Sequence, residues 1–255
     1  MVKIRFLGAC QEVGRSGVLI ESEESSDAVL CDYGTKMDDN EQLFPEHVSG
    51  RQLSAIVLTH AHIDHSGGIP LFYISGSVPL YCTELTFKVT EILLQDMLNI
   101  STAFLPFERP ELTKMSRYAN FLKYGERKKI GKRTWITLYN AGHIPGSAMV
   151  LVEMDGKKIL YTGDINTAPT KLISPLNAEE IPPIDAIVTE TTYGTIDHPD
   201  RVELETKFVE KVKETLSNQG IVLIPAFGVA RSQELLMVVY RDAEFPHPVV
   251  VDGMA

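Results

Sequence analysis

The sequence predicts a layered α/β or α+β domain in which helices cover β-sheets. Two features favour this class: the chain begins with strand-like segments separated by turn residues, and strand–loop–helix units follow them. The 255 residues leave room for one large domain or two small ones. With 44% hydrophobic and 23% charged residues, the composition is that of an ordinary packed protein. We therefore expect a folded chain rather than a disordered one.

The N-terminal half is predicted to begin with strands at residues 2–7, 16–21 and 27–32, because apolar residues there alternate or run together between turn residues. A short buried strand at residues 54–59 precedes a loop rich in histidine and glycine. Residues 83–98 predict a helix, since their apolar side chains recur on one face. Further strands are predicted at residues 134–139, 148–154, 158–162 and 186–189.

The C-terminal part is predicted to alternate between helices and strands. A helix at residues 203–217 ends before Gly220, a residue type that suits a C-terminal cap. The elements predicted after it are a strand at 221–225, a helix at 231–243 and a strand at 248–251. This rhythm predicts one domain at residues 1–219 and the beginning of another at residues 220–255.

The charge balance excludes one class of nucleic-acid-binding protein. With 24 basic and 34 acidic residues the net charge is −10, which does not suit a non-specific coat on duplex DNA but allows a nuclease with a locally positive site. Three scattered cysteines, Cys10, Cys31 and Cys82, do not predict a disulfide framework and fit a reducing compartment. Because the chain opens as a strand and has no long apolar run, we expect a soluble cytoplasmic protein without membrane contact.

A cluster of histidines follows the strand predicted at residues 54–59. Alternate residues of an extended segment point the same way, so His60 and His62 are expected to bind one ion. Asp64 and His65 lie past the strand end and are expected to turn toward a second position. Imidazole and carboxylate are typical ligands of catalytic zinc. The alternatives are a chance run of surface histidines or a structural metal, although structural zinc usually recruits cysteine and none is nearby.

Two later loops repeat this arrangement of a strand followed by a metal-ligating side chain. His143 follows the strand at residues 134–139 and is a candidate third ligand for the first ion. Asp164 follows the strand at residues 158–162 and is placed to bridge two ions. Either residue by itself would be read as an ordinary loop or turn residue. Together with the histidine cluster, the two loops predict a binuclear site.

The motif His60-x-His62-x-Asp64-His65, followed by His143 and Gly163-Asp164, resembles the metallo-β-lactamase superfamily. The resemblance implies a four-layer αββα sandwich and two Zn²⁺ ions. It also implies that Asp32, at the end of an early strand, supports the site from behind the metal ligands, where a carboxylate fixes an imidazole tautomer. The implied ligands are His60, His62 and His143 for the first ion, Asp64 and His65 for the second, and Asp164 between them.

Three further segments resemble the β-CASP nucleases of this superfamily, the group that includes ribonuclease J and the pre-mRNA 3′-end cleavage endonuclease. They are residues 8–16 (GACQEVGRS), 189–194 (TETTYG) and 225–234 (PAFGVARSQE). The match covers nearly the whole chain and is nearest to the compact archaeal members. It implies that residues 220–255 begin a β-CASP cap domain and that Glu190 orients a histidine of that cap. The alternative for Glu190 is a helix-capping or surface role.

The sequence departs from the β-CASP pattern in its later histidines. The family carries two of them, a proposed general acid and a final metal ligand, whereas only His198 and His247 follow Asp164 here. Neither lies in a matching context, so both are expected to be loop residues. We therefore interpret the sequence as the N-terminal portion of a longer protein, with the missing histidines expected beyond Ala255.

The resemblance implies a zinc-dependent ribonuclease that hydrolyses the phosphodiester bonds of single-stranded RNA by a two-metal mechanism, with endonuclease and 5′→3′ exonuclease action both open. Lys128 and Lys129, within a basic run, and Arg231 are candidate substrate contacts; a solvated hairpin and an ordinary helix start are the alternatives. A thioester or lactone hydrolase and a non-catalytic RNA-binding paralogue are the rival functions. A homodimer and an RNA-processing complex both remain open.

Overall fold

The computed structural model describes residues 1–38, 41–101, 104–240 and 247–253. By its internal contacts the chain forms two compact units. The first comprises Met1–Ala168 and Pro175–Glu190, and the second comprises Pro169–Ser174 and Thr191–Ala255. The boundary predicted at residue 220 separates the domains of the family rather than these two units, and it stays a prediction.

The first unit contains a mixed sheet that begins antiparallel and continues parallel. Its six strands run in the order β1-β2-β3-β6-β7-β8 within the described residues. The pairs β1–β2 and β2–β3 are antiparallel, whereas β3–β6, β6–β7 and β7–β8 are parallel. The strands are β1 (Val2–Phe6), β2 (Val18–Ser22), β3 (Ala28–Cys31), β6 (Ala55–Val57), β7 (Leu80–Cys82) and β8 (Ala119–Phe121), and a separate hairpin joins β4 (Lys36–Asp38) to β5 (Glu41–Leu43).

A second sheet of the same unit has the order β13-β12-β11-β10-β9 among the described residues. Three consecutive antiparallel pairs join β9 to β12, and β13 is parallel to β12. The strands are β9 (Arg127–Lys129), β10 (Thr134–Asn140), β11 (Ala148–Met154), β12 (Lys157–Tyr161) and β13 (Ala186–Val188).

The core of this unit lies in layers on both faces of each sheet. Val57, Ile136 and Val150 belong to the apolar cluster between the two sheets. The other face of the first sheet packs on α2 (Glu84–Ile100) and α3 (Arg109–Arg117) through residues such as Leu94 and Met115. A third cluster covers the outer face of the second sheet. The predicted mixed α/β sandwich is confirmed.

The second unit contains α4 (Arg201–Ser217) and α5 (Arg231–Val239), close to the helices predicted there. The strands predicted at residues 221–225 and 248–251 are wrong, because neither segment pairs with a neighbour in the part of the chain that the structure describes. A strand needs a partner for its ladder of backbone hydrogen bonds. Ile221 is 93% and Leu223 91% exposed, so apolar character alone did not make them a buried strand. Residues 241–243 of the predicted helix lie outside the described residues.

Two other observations concern the whole chain. Within the described ranges, no helix is both long enough and apolar enough to cross a lipid bilayer. Cys10, Cys31 and Cys82 are all free thiols, and the last two are buried. The cysteine count had indicated this arrangement.

Candidate metal centre

The candidate site lies where strands of both sheets end. In the first sheet, Asp32 directly follows β3, and His60 comes three residues after β6. In the second sheet, His143 follows β10 and Asp164 follows β12 by three residues each. His62 precedes α1 (Ile63–Ser66), a single turn that carries Asp64 and His65. Short loops after rigid strands therefore position each of the predicted ligands.

Four of these side chains converge on one point. The ligand atoms of His60, His62, His143 and Asp164 all lie within 4.8 Å of one another. His62 Nδ1 is 3.1 Å from His60 Nε2 and 3.2 Å from His143 Nε2. Asp164 Oδ2 is 3.5 Å from His143 Nε2 and 3.8 Å from His60 Nε2. Ligand atoms around a tetrahedral ion with bonds of ~2.0–2.1 Å are ~3.3–3.4 Å apart, so the donor set fits such an ion.

His60 is held in the form that binds a metal. Its imidazole is fully buried. Burial, and then the charges of the neighbouring histidines, keep the pKa of His60 well below its usual range. Its Nδ1 lies 3.0 Å from Thr59 Oγ1, which leaves Nε2 directed at the centre. A neutral imidazole with a free lone pair is the ligand that Zn²⁺ requires.

His65 and Asp64 lie beside this cluster and share Asp164 with it. His65 Nε2 is 3.3 Å from Asp164 Oδ1 and 3.8 Å from Asp64 Oδ2. Asp164 therefore directs one oxygen at the three histidines and the other at His65. Burial would raise the pKa of Asp164, but the hydrogen bond and charge of His65 hold it below its usual value. An ionised carboxylate between two groups of ligands is suited to bridge two cations.

Asp32 fixes the orientation of His65. His65 Nδ1 lies 2.7 Å from Asp32 Oδ2, and because a carboxylate only accepts, Nδ1 carries the proton and Nε2 faces Asp164. Burial disfavours a charged His65, but the charge and hydrogen bonds of Asp32 and Asp164 hold the pKa of His65 well above its ordinary value. The role that the sequence predicted for Asp32 is consistent with this contact.

Comparisons with known proteins show the family of this chain. The sequence model of the metallo-beta-lactamase superfamily matches residues 12–197. The chain belongs to the metallo-beta-lactamase superfamily. A solved structure, a protein of unknown function from Enterococcus faecalis V583, covers 83% of this chain and 57% of its own at a TM-score of 0.58. At 18% identity it shows the shared fold alone.

The curated relatives of this metallo-beta-lactamase chain include two named as RNases and one named as a transcription termination factor. RNase aCSPSF2 of Saccharolobus solfataricus is 39% identical over 99% of this chain and 51% of its own length. Probable RNase MJ4 of Methanocaldococcus jannaschii is 37% identical over 100% of this chain and 60% of its own. Transcription termination factor FttA of Methanococcus maripaludis is 34% identical, over 99% and 42%. The chain thus spans about half the length of the curated relatives it matches.

The metallo-beta-lactamase centre includes a residue that sequence reasoning missed, Tyr161. Its hydroxyl donates to Asp32 Oδ2 at 3.0 Å, and its ring is buried between the sheets. Burial, and then the charge of Asp32, raise the pKa of Tyr161, so the phenol keeps the proton that it donates. In the sequence Tyr161 looked like any apolar strand residue; its place three residues before Asp164 was the only signal.

The loop that carries His143 is fixed from two sides. Ser147 Oγ accepts the backbone N–H groups of His143 at 3.1 Å and of Ile144 at 3.2 Å. The hydroxyls of Thr83 and Thr86, at the start of α2, each donate to the carbonyl of Gly146 at 2.8 Å. The sequence had placed these two threonines in or next to a helix without a further role. Their contact across 60 residues has no local signature.

The remaining candidates lie away from this cluster. Glu190 accepts the backbone N–H of Ile165, the residue after Asp164, at 3.0 Å and caps no described helix. Lys128 and Lys129 are exposed on β9, an edge strand of the second sheet. Arg231 is the first residue of α5 in the second unit. Among the contacts of the described residues, none joins these side chains to a metal ligand, and their functional roles stay predictions.

The two late histidines lie outside helices and strands, as expected of loop residues. The ring of His198 packs on Tyr193 with centroids 4.7 Å apart. Neither His198 nor His247 is in the group of side chains that could hold a metal among the described residues.

Proposed function

We propose that this protein is a zinc-dependent ribonuclease that hydrolyses phosphodiester bonds of single-stranded RNA at a binuclear centre. The observation that carries the proposal is the convergence of three histidines and Asp164 within 4.8 Å, beside His65 and Asp64. Relatives named as RNases support the choice of substrate. RNA is proposed as the partner, with no membrane involved.

The residues at the centre have separate tasks in this mechanism. His60, His62 and His143 would hold the first Zn²⁺, Asp64 and His65 would hold the second, and Asp164 would be shared by the two positions. Two divalent cations, when bound, supply Lewis acidity toward both a phosphate oxygen and a water molecule. The carboxylates of Asp164 and Asp64 would partly neutralise the positive charge of the two cations. Asp32 keeps the proton of His65 on Nδ1.

Local charge explains how an acidic chain attracts an anionic substrate. Two Zn²⁺ ions bring about four positive charges against the two carboxylates of Asp64 and Asp164, so the centre is positive. An anionic phosphodiester is therefore drawn to the site even though the whole chain carries −10.

The edge strand β9 is the proposed path for the RNA backbone. Arg127, Lys128 and Lys129 are all exposed on it. Arg127 is paired with Glu153 at 2.5 Å and lies over the Trp135 ring, so much of its charge is already matched. Lys129 also lies over the Trp135 ring, 5.5 Å from its centroid, but neither Lys128 nor Lys129 forms an ion pair among the described residues, so their charge remains available to phosphates. We propose Lys128 and Lys129 as substrate contacts, and Arg231 as a phosphate contact of the second unit.

The catalytic proposal is tested by metal content and by cleavage of a labelled single-stranded RNA. The full-length protein is expected to bind two Zn²⁺ and cleave, whereas Asp64→Ala in the same protein abolishes cleavage. His198→Ala, which removes a histidine outside the cluster, serves as the matched control and is expected to cleave normally. Thioester or lactone turnover without RNA cleavage would instead assign a small-molecule hydrolase. Zinc binding without any turnover would assign a non-catalytic RNA-binding protein.

The proposed RNA path is tested separately by charge reversal. Lys128→Glu with Lys129→Glu is expected to weaken RNA binding strongly at low salt and little at high salt, because phosphate contacts act through counterion release. Lys211→Glu with Lys213→Glu changes the net charge by the same amount on α4 and is the control. If both double variants weaken RNA binding equally, the effect is one of net charge, and β9 is not part of the RNA path.

A further inference from the structure

The hydroxyl of Tyr161 lies directly behind the pair formed by Asp32 and His65. We propose that Tyr161 is a positioning residue for the second metal position, and that it acts by holding the Asp32 carboxylate against His65. The inference rests on the proposed binuclear centre. It adds a residue that lies outside the predicted ligand set and acts through Asp32.

The Asp32 carboxylate is fully buried and receives four donors. Oδ1 accepts the backbone N–H of Thr59 at 2.8 Å. Oδ2 accepts Thr59 Oγ1 at 2.7 Å, His65 Nδ1 at 2.7 Å and the Tyr161 hydroxyl at 3.0 Å. Asp32 also adopts a φ of +58°, a left-handed conformation that a non-glycine residue keeps only when its contacts hold it there. The direction of this carboxylate therefore depends on its donors.

Tyr161 and Thr59 reach Asp32 from different sheets. Thr59 follows β6, which is next to β3 in the first sheet, whereas Tyr161 ends β12 of the second sheet. The phenol therefore links the two sheets directly beneath the site. The same strand leads to Asp164 three residues later, and Asp164 Oδ1 lies 3.3 Å from His65 Nε2. One hydrogen bond thus couples the strand that carries Asp164 to the acid that orients His65.

Loss of this hydrogen bond affects the two metal positions unequally. A carboxylate that accepts the imidazole N–H keeps the other ring nitrogen directed at the ion, and removing such outer partners costs about 10–100-fold in metal affinity. Tyr161 contacts Asp32 and not His65 itself, so we expect a loss of metal affinity at the lower end of this range, about tenfold. Asp32 is connected to the first position through Thr59, whose Oγ1 donates to Asp32 Oδ2 and lies 3.0 Å from His60 Nδ1. The backbone N–H of Thr59 also holds Asp32 Oδ1 without Tyr161, so the first position should weaken less than the second.

The chain offers a matched control for the substitution. Tyr161→Phe removes the hydroxyl and leaves the ring in the core between the sheets. Tyr73→Phe makes the same change at a fully buried tyrosine whose hydroxyl donates to the carbonyl of Val78 at 2.9 Å. That contact lies in the apolar cluster on the helical side of the first sheet and does not touch Asp32.

The experiment is a stepwise Zn²⁺ titration of the metal-free full-length protein against a chelator of known affinity. Y161F should bind two ions, with the second Kd raised about tenfold and the first raised by a clearly smaller factor, while Y73F matches wild type in both steps. The inference is overturned if Y161F overlays wild type, if both steps weaken equally, or if Y161F loses its fold while Y73F keeps it. Wild type binding a single ion would instead overturn the binuclear centre itself, whatever Y161F does.

Discussion

Gly146 lies in the loop that carries His143, and its backbone tolerates no side chain there. It has a φ of +87°, and a Cβ would lie 2.8 Å from the backbone nitrogen of Thr86 and 2.9 Å from Thr83 Oγ1. Those threonines are also the donors to its carbonyl. Gly146→Ala therefore places a methyl group against the contacts that hold the loop, and the loop has to shift away from α2.

The magnitude has two parts. The left-handed conformation costs a residue with a Cβ about 1–2 kcal/mol. A shift that breaks the two hydroxyl bonds to the carbonyl removes about 1 kcal/mol for each. We expect Gly146→Ala to lower the free energy of unfolding by about 3 kcal/mol in total. Because His143 moves with the loop, binding of the first ion should weaken by at least about tenfold, the range seen when groups that orient ligands are lost.

Gly156→Ala is the control that separates the steric effect of the added methyl group from the free-energy cost of the left-handed backbone. Gly156 has a φ of +79°, but a Cβ there meets nothing within 4 Å. It lies in the turn between β11 and β12, and we expect a loss of about 1 kcal/mol with unchanged metal affinity. Urea unfolding with and without Zn²⁺ measures both quantities. The reasoning is refuted if G146A is no less stable than G156A, or if it binds the first ion as wild type does.

Three further perturbations have defined outcomes. Glu190→Gln keeps an oxygen that accepts the N–H of Ile165. If the variant cleaves RNA nearly as well as wild type, the role of Glu190 is this hydrogen bond. If it loses as much activity as Glu190→Ala, the negative charge of Glu190 is what matters. Asp27 accepts the N–H groups of Lys132 and Arg133, which hold its pKa below the usual value against the effect of burial. Asp27→Asn should therefore destabilise the protein above the ordinary carboxyl pKa, and the difference from wild type in thermal unfolding should disappear as the pH falls through the lowered pKa. Removing Zn²⁺ with a chelator should lower the Tm of wild type, because an ion that binds only the folded state stabilises it, and the same treatment should leave the Tm of His60→Ala nearly unchanged.

Sequence reasoning succeeded where chemistry restricts the residue type and a strand precedes it. His60, His143 and Asp164 each come after an apolar strand, and it is their combination with the histidine cluster, rather than any one of them, that indicates metal binding. Rigid strands and short loops then leave little freedom in where the side chains end. Local patterns named the candidate residues and the family resemblance implied the full ligand set; the structure brings His60, His62, His143 and Asp164 within 4.8 Å of one another.

Features that depend on a distant partner were not predictable in this way. Thr86 and Tyr161 act through single hydrogen bonds to groups 60 and 129 residues away. Residues 221–225 have the apolar pattern of a strand, but a pattern does not specify the neighbouring strand that would pair with it. Helix α3 was missed because its nine residues bury only Leu112 and Met115, although the capping box formed by Glu108 and Glu111 was a usable signal.

The origin of the ligands explains why the site depends on the packing of the whole sandwich. His60, His62 and His65 follow a strand of the first sheet, whereas His143 and Asp164 follow strands of the second. Lone pairs of ring nitrogens 3.1 Å apart repel unless a proton or a cation lies between them. The apolar core between the sheets therefore has to hold this cluster together before any ion arrives, and an ion that binds there stabilises the same core in return. Tyr161 joins the two sheets by one hydrogen bond beneath the ligands, so it contributes both to the packing of the sheets and to the position of the ligands.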